Sequence, residues 1–425
     1  MERRQLFQTA FAAAFAWNAV ERVQAADQKS KGRSAVEIAS DEDFWFEVRH
    51  AFSIDRNIIN LNNGSVCPSP RNVQEAEAQY MRVTQMQPSH YVDEFLIPAN
   101  EIVRRRLAAS FGCDPEEMAI TRNATEALEI VQFGLPLKAG DEVLTTDQDY
   151  PSMLTAWRQR EQRDGIVLKT FSYPTPPASP AELVKLFEKN ITPRTKVILV
   201  SFVTFTTGQI FPVRDICRMA RARGIETIVD GAHAFAQFPF NGSELECDYL
   251  GAAGHKWLLA PVGTGFLYVR RDKISRVWPL FASAAKADNI RKFESIGTSP
   301  VAHRNAISEA LSFHESIGVE RKAARLRYLR DRWMNRLANV KGVTMRNSQD
   351  PAQSCGIAAL SLAGWDAGDL TKYLIEKHSI HVRPRWVTGD YPFNCIRVTP
   401  NVYTTTEEID LFCKGVETAS VLKKG

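Results

Sequence analysis

Two kinds of apolar pattern alternate along the chain from about residue 41. Short continuous runs occupy 116–121 (EEMAIT), 141–146 (DEVLTT), 196–202 (KVILVSF), 225–232 (IETIVDGA), 248–253 (DYLGAA) and 264–271 (TGFLYVRR). These predict strands. The stretches between them, 124–135, 151–165 and 213–224, carry apolar residues at helical spacing. Apolar strands alternating with helices predict an α/β fold, with a mostly parallel, helix-covered sheet. A long helical pattern follows over 304–340, with a break near Gly318. Shorter pieces then run over 355–364, 369–378, 380–385 and 395–400, and a last helix over 404–422. They predict a smaller α+β domain. The expected division is a large domain over 41–300 and a small C-terminal domain over 301–425, which the N-terminal segment of the large one joins. The proline-rich stretch 174–180 predicts a rigid loop.

The length of 425 residues agrees with two domains, or one large α/β domain with a smaller partner. A hydrophobic content of 44% and a charged content of 24% are those of a soluble globular enzyme. The net charge is only +4 and no Lys/Arg-rich run occurs, which argues against a nucleic-acid partner. No apolar run is long enough to predict a membrane span. The seven cysteines, Cys67, Cys113, Cys217, Cys247, Cys355, Cys395 and Cys413, show no CxxC and no metal-like spacing. Their odd number excludes complete pairing, so buried thiols are expected.

The N-terminus has the layout of a twin-arginine export signal: Arg3-Arg4, an apolar run from Leu6 to Val20, and a small-residue site at Val23-Gln24-Ala25. On that reading residues 1–25 are removed, 26–40 form a flexible tether, the Tat export machinery is a partner and the enzyme is periplasmic. The alternative is an ordinary helix at the start of a cytoplasmic enzyme.

Lys256 lies between the apolar, glycine-rich runs LGAAG and LLAPVG. Most lysines are surface residues. A lysine in an apolar pocket has its ammonium form disfavoured, and the free amine is a nucleophile toward an aldehyde. Pyridoxal 5′-phosphate is the cofactor that requires such a lysine, together with a carboxylate at its pyridine nitrogen. Asp230 closes the apolar run 225–229, and in an open parallel sheet the strand C-termini form the ligand crevice. His233 follows three residues later, placed to bond the ring's phenolate oxygen. Either could be a turn residue. For the phosphate, strand, turn and helix meet at Ala124 and Thr125, where backbone N–H groups and the helix dipole suit an anion; the alternative is a simple N-cap. His255 is placed to reach the same group. Tyr150, at another strand end, could stack on the ring or fill the core edge.

The set RNATEAL, VDGAH, GHKWLLAPVGTGFLYVR, ESIGTSP and INLNNGSVCPSP resembles the class V aminotransferase family of fold-type I pyridoxal-phosphate enzymes, over about residues 57–412. Within it, LNNGS and GHKWL are similar to the isopenicillin N epimerase branch. The resemblance implies that Lys256 carries the cofactor as a Schiff base. It places Asp230 on the pyridinium, His233 on the ring oxygen, and Ala124, Thr125 and His255 on the phosphate. It stacks Tyr150 on the cofactor. Thr204 lies near a position where relatives supply a polar side chain, although Phe205 departs from the pattern. Thr298 is similar to a residue that reaches the neighbouring subunit's phosphate, implying a homodimer. Arg397 matches the arginine that binds the substrate carboxylate, and Asn63 borders the substrate.

The reaction classes this implies are transamination or epimerisation at Cα of an amino acid or peptide-like amine. Exported members resemble periplasmic enzymes of siderophore (pyoverdine) tailoring. Two alternatives stand beside them: a cysteine desulfurase or C–S lyase, and a cofactor-binding protein without turnover. Desulfurases carry a nucleophilic cysteine on a loop upstream of the arginine. Here 356–394 contain no cysteine, and Cys395 falls two residues before Arg397 in an expected strand.

Overall fold

The apolar strands form the centre of the molecule in the computed structural model, which describes residues 17–422. After a short β1 (Ile59–Asn60) come β2 (Met118–Thr121), β3 (Glu142–Thr146), β4 (Val167–Phe171), β5 (Thr195–Ser201), β6 (Glu226–Asp230), β7 (Tyr249–Ala253) and β8 (Gly265–Val269). The last seven make one sheet in the order β2-β8-β7-β6-β5-β3-β4. β8 runs antiparallel to both neighbours, and the other pairings are parallel. Successive residues of a strand face opposite ways. Ile198 and Val200 pack in the core on one face of the sheet, and Val197 and Leu199 in the core on the other. β4 was not legible as a strand. It lies at the sheet edge, and Val167, Lys169 and Thr170 leave it no continuous apolar run.

The small domain is an antiparallel sheet of β9 (Val343–Met345), β10 (Ala358–Leu362), β12 (Arg383–Val387) and β13 (Phe393–Val398), in the order β12-β13-β10-β9. Leu360, Ile396, Trp333 and Phe412 fill its core with the helices Val319–Leu337 and Thr406–Val421. From the N-terminal segment, β1 pairs in parallel with β11 (Ile380–His381), and Asn62 bridges to Thr399. The helical pattern breaks at Gly318, at φ +85°, a conformation glycine adopts without strain. The helix before the break, Ile307–Ile317, belongs to the large core through Ile307, Ala310 and Leu311. The helix after it spans both cores, with Ala323 and Leu326 in the large one and Leu329 and Trp333 in the small. The changeover therefore falls beyond residue 300, along this helix.

The expected tether over 26–40 is corrected. Trp17–Lys29 is a helix whose Ala19, Val23 and Ala26 are buried against Phe44, Trp45, Phe313 and Val402. A second helix, Ala35–Ala39, is capped by a reciprocal pair between Ser34 and Glu37 and buries Ile38. A polar composition concealed a few well-placed apolar contacts. Arg3 and Arg4 lie outside the described residues. Among the described residues, no helix is long and apolar enough to cross a membrane.

Candidate active site

Three chain segments converge at the carboxyl ends of the central strands β6 and β7. β6 ends at Asp230, and the backbone turns at once, with the amide of Ala232 donating to Asp230 Oδ1 at 2.9 Å. β7 ends at Ala253 and leads through Gly254 and His255 to Lys256. The loop after it is closed by hydrogen bonds from Gly254 N to Thr264 O (2.8 Å) and from Ala260 N to Gly254 O (3.0 Å). The helix Ala124–Gly134 begins beside both, capped by Asn123, whose Oδ1 accepts from Glu126 N at 2.8 Å. Ala124, Ala232 and Ala253 pack directly on one another. Gly265 is required here, because a Cβ would come within 2.9 Å of the Asn123 backbone. Short side chains thus bring a helix N-terminus, an acid-bearing turn and the lysine loop together.

Lys256 is half-buried, and its Nζ lies 3.3 Å from Nε2 of His233. Desolvation pushes the Lys256 amine down to about 8, opposed by the charge of Asp230. His233 is buried, and desolvation together with the nearby lysine holds it well below the usual imidazole range, so the ring is neutral. Its Nδ1 is buried without a hydrogen-bond partner. Asp230 is raised to about 6, first by burial and then by the charge of Asp149. Asp149 is a buried carboxylate that the sequence reading passed over. It accepts from Thr145 Oγ1 (2.7 Å), Ser201 Oγ (2.9 Å) and Tyr150 N (2.8 Å). His255 is fixed through Nδ1 on Thr264 O at 3.0 Å, which leaves Nε2 for a ligand.

Arg397, on β13, is fully buried and reaches across from the small domain. Its Nη1 donates to Phe205 O (2.8 Å), and its Nη2 donates to Asn62 Oδ1 (2.9 Å) and Ser65 Oγ (3.0 Å). All three acceptors are neutral, and its Nε has no partner. A Cβ on Gly64 would lie 3.1 Å from the guanidinium carbon, so glycine makes room for it. Tyr150 is 38% exposed, with its ring edge-on to Phe205 at 5.3 Å.

Two expected positions are corrected. Thr204 is buried and its hydroxyl is engaged within its own turn, on Thr207 Oγ1 (3.1 Å) and Gln209 N (3.1 Å); the adjacent Phe205 faces the site instead. Asn63 is fully buried and bonded to Asn60, Thr399 and Tyr403, so it buttresses the loop while Asn62 and Ser65 meet Arg397. Thr298 is exposed on the single chain, and its expected contact is with the phosphate of a neighbouring subunit.

These residues fit pyridoxal 5′-phosphate. The depressed amine, the buried acid, the unpartnered His233 Nδ1 and the helix N-terminus at Ala124 and Thr125 match the aldehyde, the ring nitrogen, the ring oxygen and the phosphate. The family model for aminotransferase class-V matches residues 59–412. The chain belongs to the class V aminotransferases. It is 33% identical to isopenicillin N epimerase of Streptomyces clavuligerus over 384 residues, 86% of this chain and 96% of that one. It is 31% identical to the Amycolatopsis lactamdurans enzyme of the same name, over 88% and 98%. The apo cysteine desulfurase of Thermococcus onnurineus superposes with a TM-score of 0.77 at 22% identity, covering 88% of this chain and 98% of that one. This chain is a pyridoxal-phosphate enzyme with the fold-type I architecture.

Two further groups escaped the sequence reading. Lys322 is fully buried, lowered to about 7 by desolvation, and donates from Nζ to the carbonyl of Trp257 at 2.6 Å, one residue past Lys256. Arg385, within the VRPR stretch, stands over the ring of Phe205 with its guanidinium carbon 4.9 Å from the centroid. Arg385 meets Phe205, and Lys322 meets the residue after Lys256, from elements distant in sequence that no local pattern announces.

Proposed function

We propose that the protein moves the Cα proton of an α-amino acid or a peptide-linked amino acid, in an epimerase- or transaminase-type reaction. The observation that carries this reading is the depressed, half-buried Lys256 amine beside a neutral His233, across from a guanidinium free of counter-charge. Arg397 binds the substrate carboxylate and so fixes which bond at Cα faces Lys256. Lys256 takes the proton and returns it. Asp230 holds a positive ring nitrogen by charge, and His233 fixes the ring orientation through Nδ1. Ala124, Thr125 and His255 anchor the phosphate. Pyridoxal phosphate, when bound, supplies the electron sink for the Cα pair.

Epimerisation is the finer proposal, supported by the relatives named isopenicillin N epimerase. The desulfurase alternative has little support in the thiols. All seven cysteines are free, six are buried, and burial pushes every one of them upward, Cys67 and Cys395 to about 12. A desulfurase nucleophile must instead be an accessible thiolate. The test is proton NMR of candidate amino acids in deuterated solvent: loss of the Cα–H signal with loss of optical rotation supports epimerisation. Sulfide release from cysteine without Cα exchange contradicts it.

A homodimer is also proposed. Trp278, Leu280 and Phe281 are exposed at 74%, 40% and 53%, a solvent-facing apolar stretch that a second subunit would cover. Export to the periplasm by the twin-arginine route is proposed on Arg3-Arg4, with processing ahead of the packed helix rather than at residue 25. A siderophore-tailoring substrate is the narrower reading that depends on export.

A further inference from the structure

Arg385 has no task in the chemistry above. It lies on β12, one strand from Arg397, and the two strands are paired. Both arginines close on the same residue: Arg397 through the carbonyl of Phe205 at 2.8 Å, and Arg385 over its ring. The Nε of Arg385 is buried with no hydrogen-bond partner, and no carboxylate is among the charged groups that act on its guanidinium. Burial and the charge of Arg383 lower it to about 10, and the remaining groups felt there are Cys395 and Tyr150, none of them a carboxylate. Its charge reaches both Lys256 and His233, so it faces the same pocket. Two guanidiniums, one fully buried and one half-buried, repel each other here. Such a pair is stable when anions fill it, and a single α-carboxylate satisfies only Arg397.

We infer that Arg385 is a second anion-binding group, which receives an acidic group at the far end of the substrate side chain. This rests on the reading of Arg397 as the α-carboxylate site. The substrate is then an amino acid, free or peptide-linked, with a second carboxylate a few carbons from Cα. Phe205 sets the spacing, because its carbonyl holds one guanidinium and its ring carries the other. Tyr150, edge-on to Phe205, closes the outer side.

The probes are glutarate and n-valerate, equal in carbon number and different by one carboxylate, titrated calorimetrically into the purified protein and into Arg385→Met, Arg385→Lys and Arg397→Met. The wild type should bind glutarate about tenfold or more tighter than valerate, the worth of one charge-assisted bond. Arg385→Met should abolish that preference and leave valerate binding unchanged; Arg385→Lys should keep part of it. Arg397→Met should weaken both ligands. An unchanged preference in Arg385→Met, or none in the wild type, overturns the inference. Equal valerate binding in Arg397→Met and wild type overturns the parent assignment instead. Cofactor content, read separately by absorbance, tests the pyridoxal-phosphate reading alone.

Discussion

Nζ of Lys256 lies 3.3 Å from Nε2 of His233, although the two residues come from different strand ends. The buried imidazole is neutral, so it does not add a fixed charge against the amine, and desolvation is the main force on the lysine proton.

The first prediction concerns that proton. Folding lowers the amine from the ordinary lysine value of about 10.4 to about 8. In cofactor-free protein the rate of pyridoxal-phosphate capture should therefore rise with pH to a half-way point near 8. Stopped-flow absorbance measures it. A midpoint near that of an exposed lysine would mean that Lys256 is not desolvated.

Asp230→Asn should fold normally and lose about a hundredfold or more in Cα–H exchange, because the amide cannot hold a charged ring nitrogen. Its effect on stability has a definite sign. Burial raises the carboxyl to about 6, above its unfolded value. Its contribution is complete at acid pH and is lost as pH rises through about 6. Above that pH the Asn variant should be at least as stable as wild type in thermal unfolding. A large loss of stability with unchanged exchange would assign Asp230 a structural task.

The helix Trp17–Lys29 should be part of the working enzyme. Truncation after residue 25 removes Ala19 and Val23, both buried, from the core, at a cost of about 2 kcal/mol or more. The truncated protein should unfold at a lower temperature. N-terminal sequencing of protein from the native host should find a start before Trp17. A mature chain starting at residue 26, with full stability, would reinstate cleavage there.

The exposed apolar stretch predicts assembly. Phe281→Glu combined with Trp278→Glu should give a monomer by light scattering, and that monomer should bind the cofactor more weakly, since Thr298 cannot reach a site within its own chain. A fully loaded monomeric wild type would end the role proposed for Thr298.

The chemistry of the site was legible wherever it sat at the end of an apolar run. Asp230, Lys256 and Ala124 close or follow strands whose pattern is continuous, so their place at the crevice followed from the parallel sheet. Thr204 and Asn63 were misplaced for a common reason: each is one residue away from the group that faces the site, Phe205 in one case and Asn62 in the other. Sequence fixes neither the direction of a side chain in a loop nor its bonding. Asp149 was adjacent to the recognised Tyr150, but its burial depends on Thr145 and Ser201 from two strands. The helix over Trp17–Lys29 ran into the expected tether because its composition is polar, and only the packing of Ala19, Val23 and Ala26 against Phe313 and Val402 reveals it.

The central claim is that the cofactor is carried by Lys256, and a rival amine stands one residue's reach away. Lys322 is the more strongly depressed of the two, at about 7, so amine basicity alone would favour it. Geometry decides otherwise, because Lys322 Nζ is bonded to the Trp257 carbonyl while Lys256 faces His233. Borohydride treatment of the purified protein followed by peptide mass spectrometry tests this directly. The account predicts one pyridoxyl-phosphate adduct, on Lys256. An adduct on Lys322, or protein that takes up no cofactor, would contradict it.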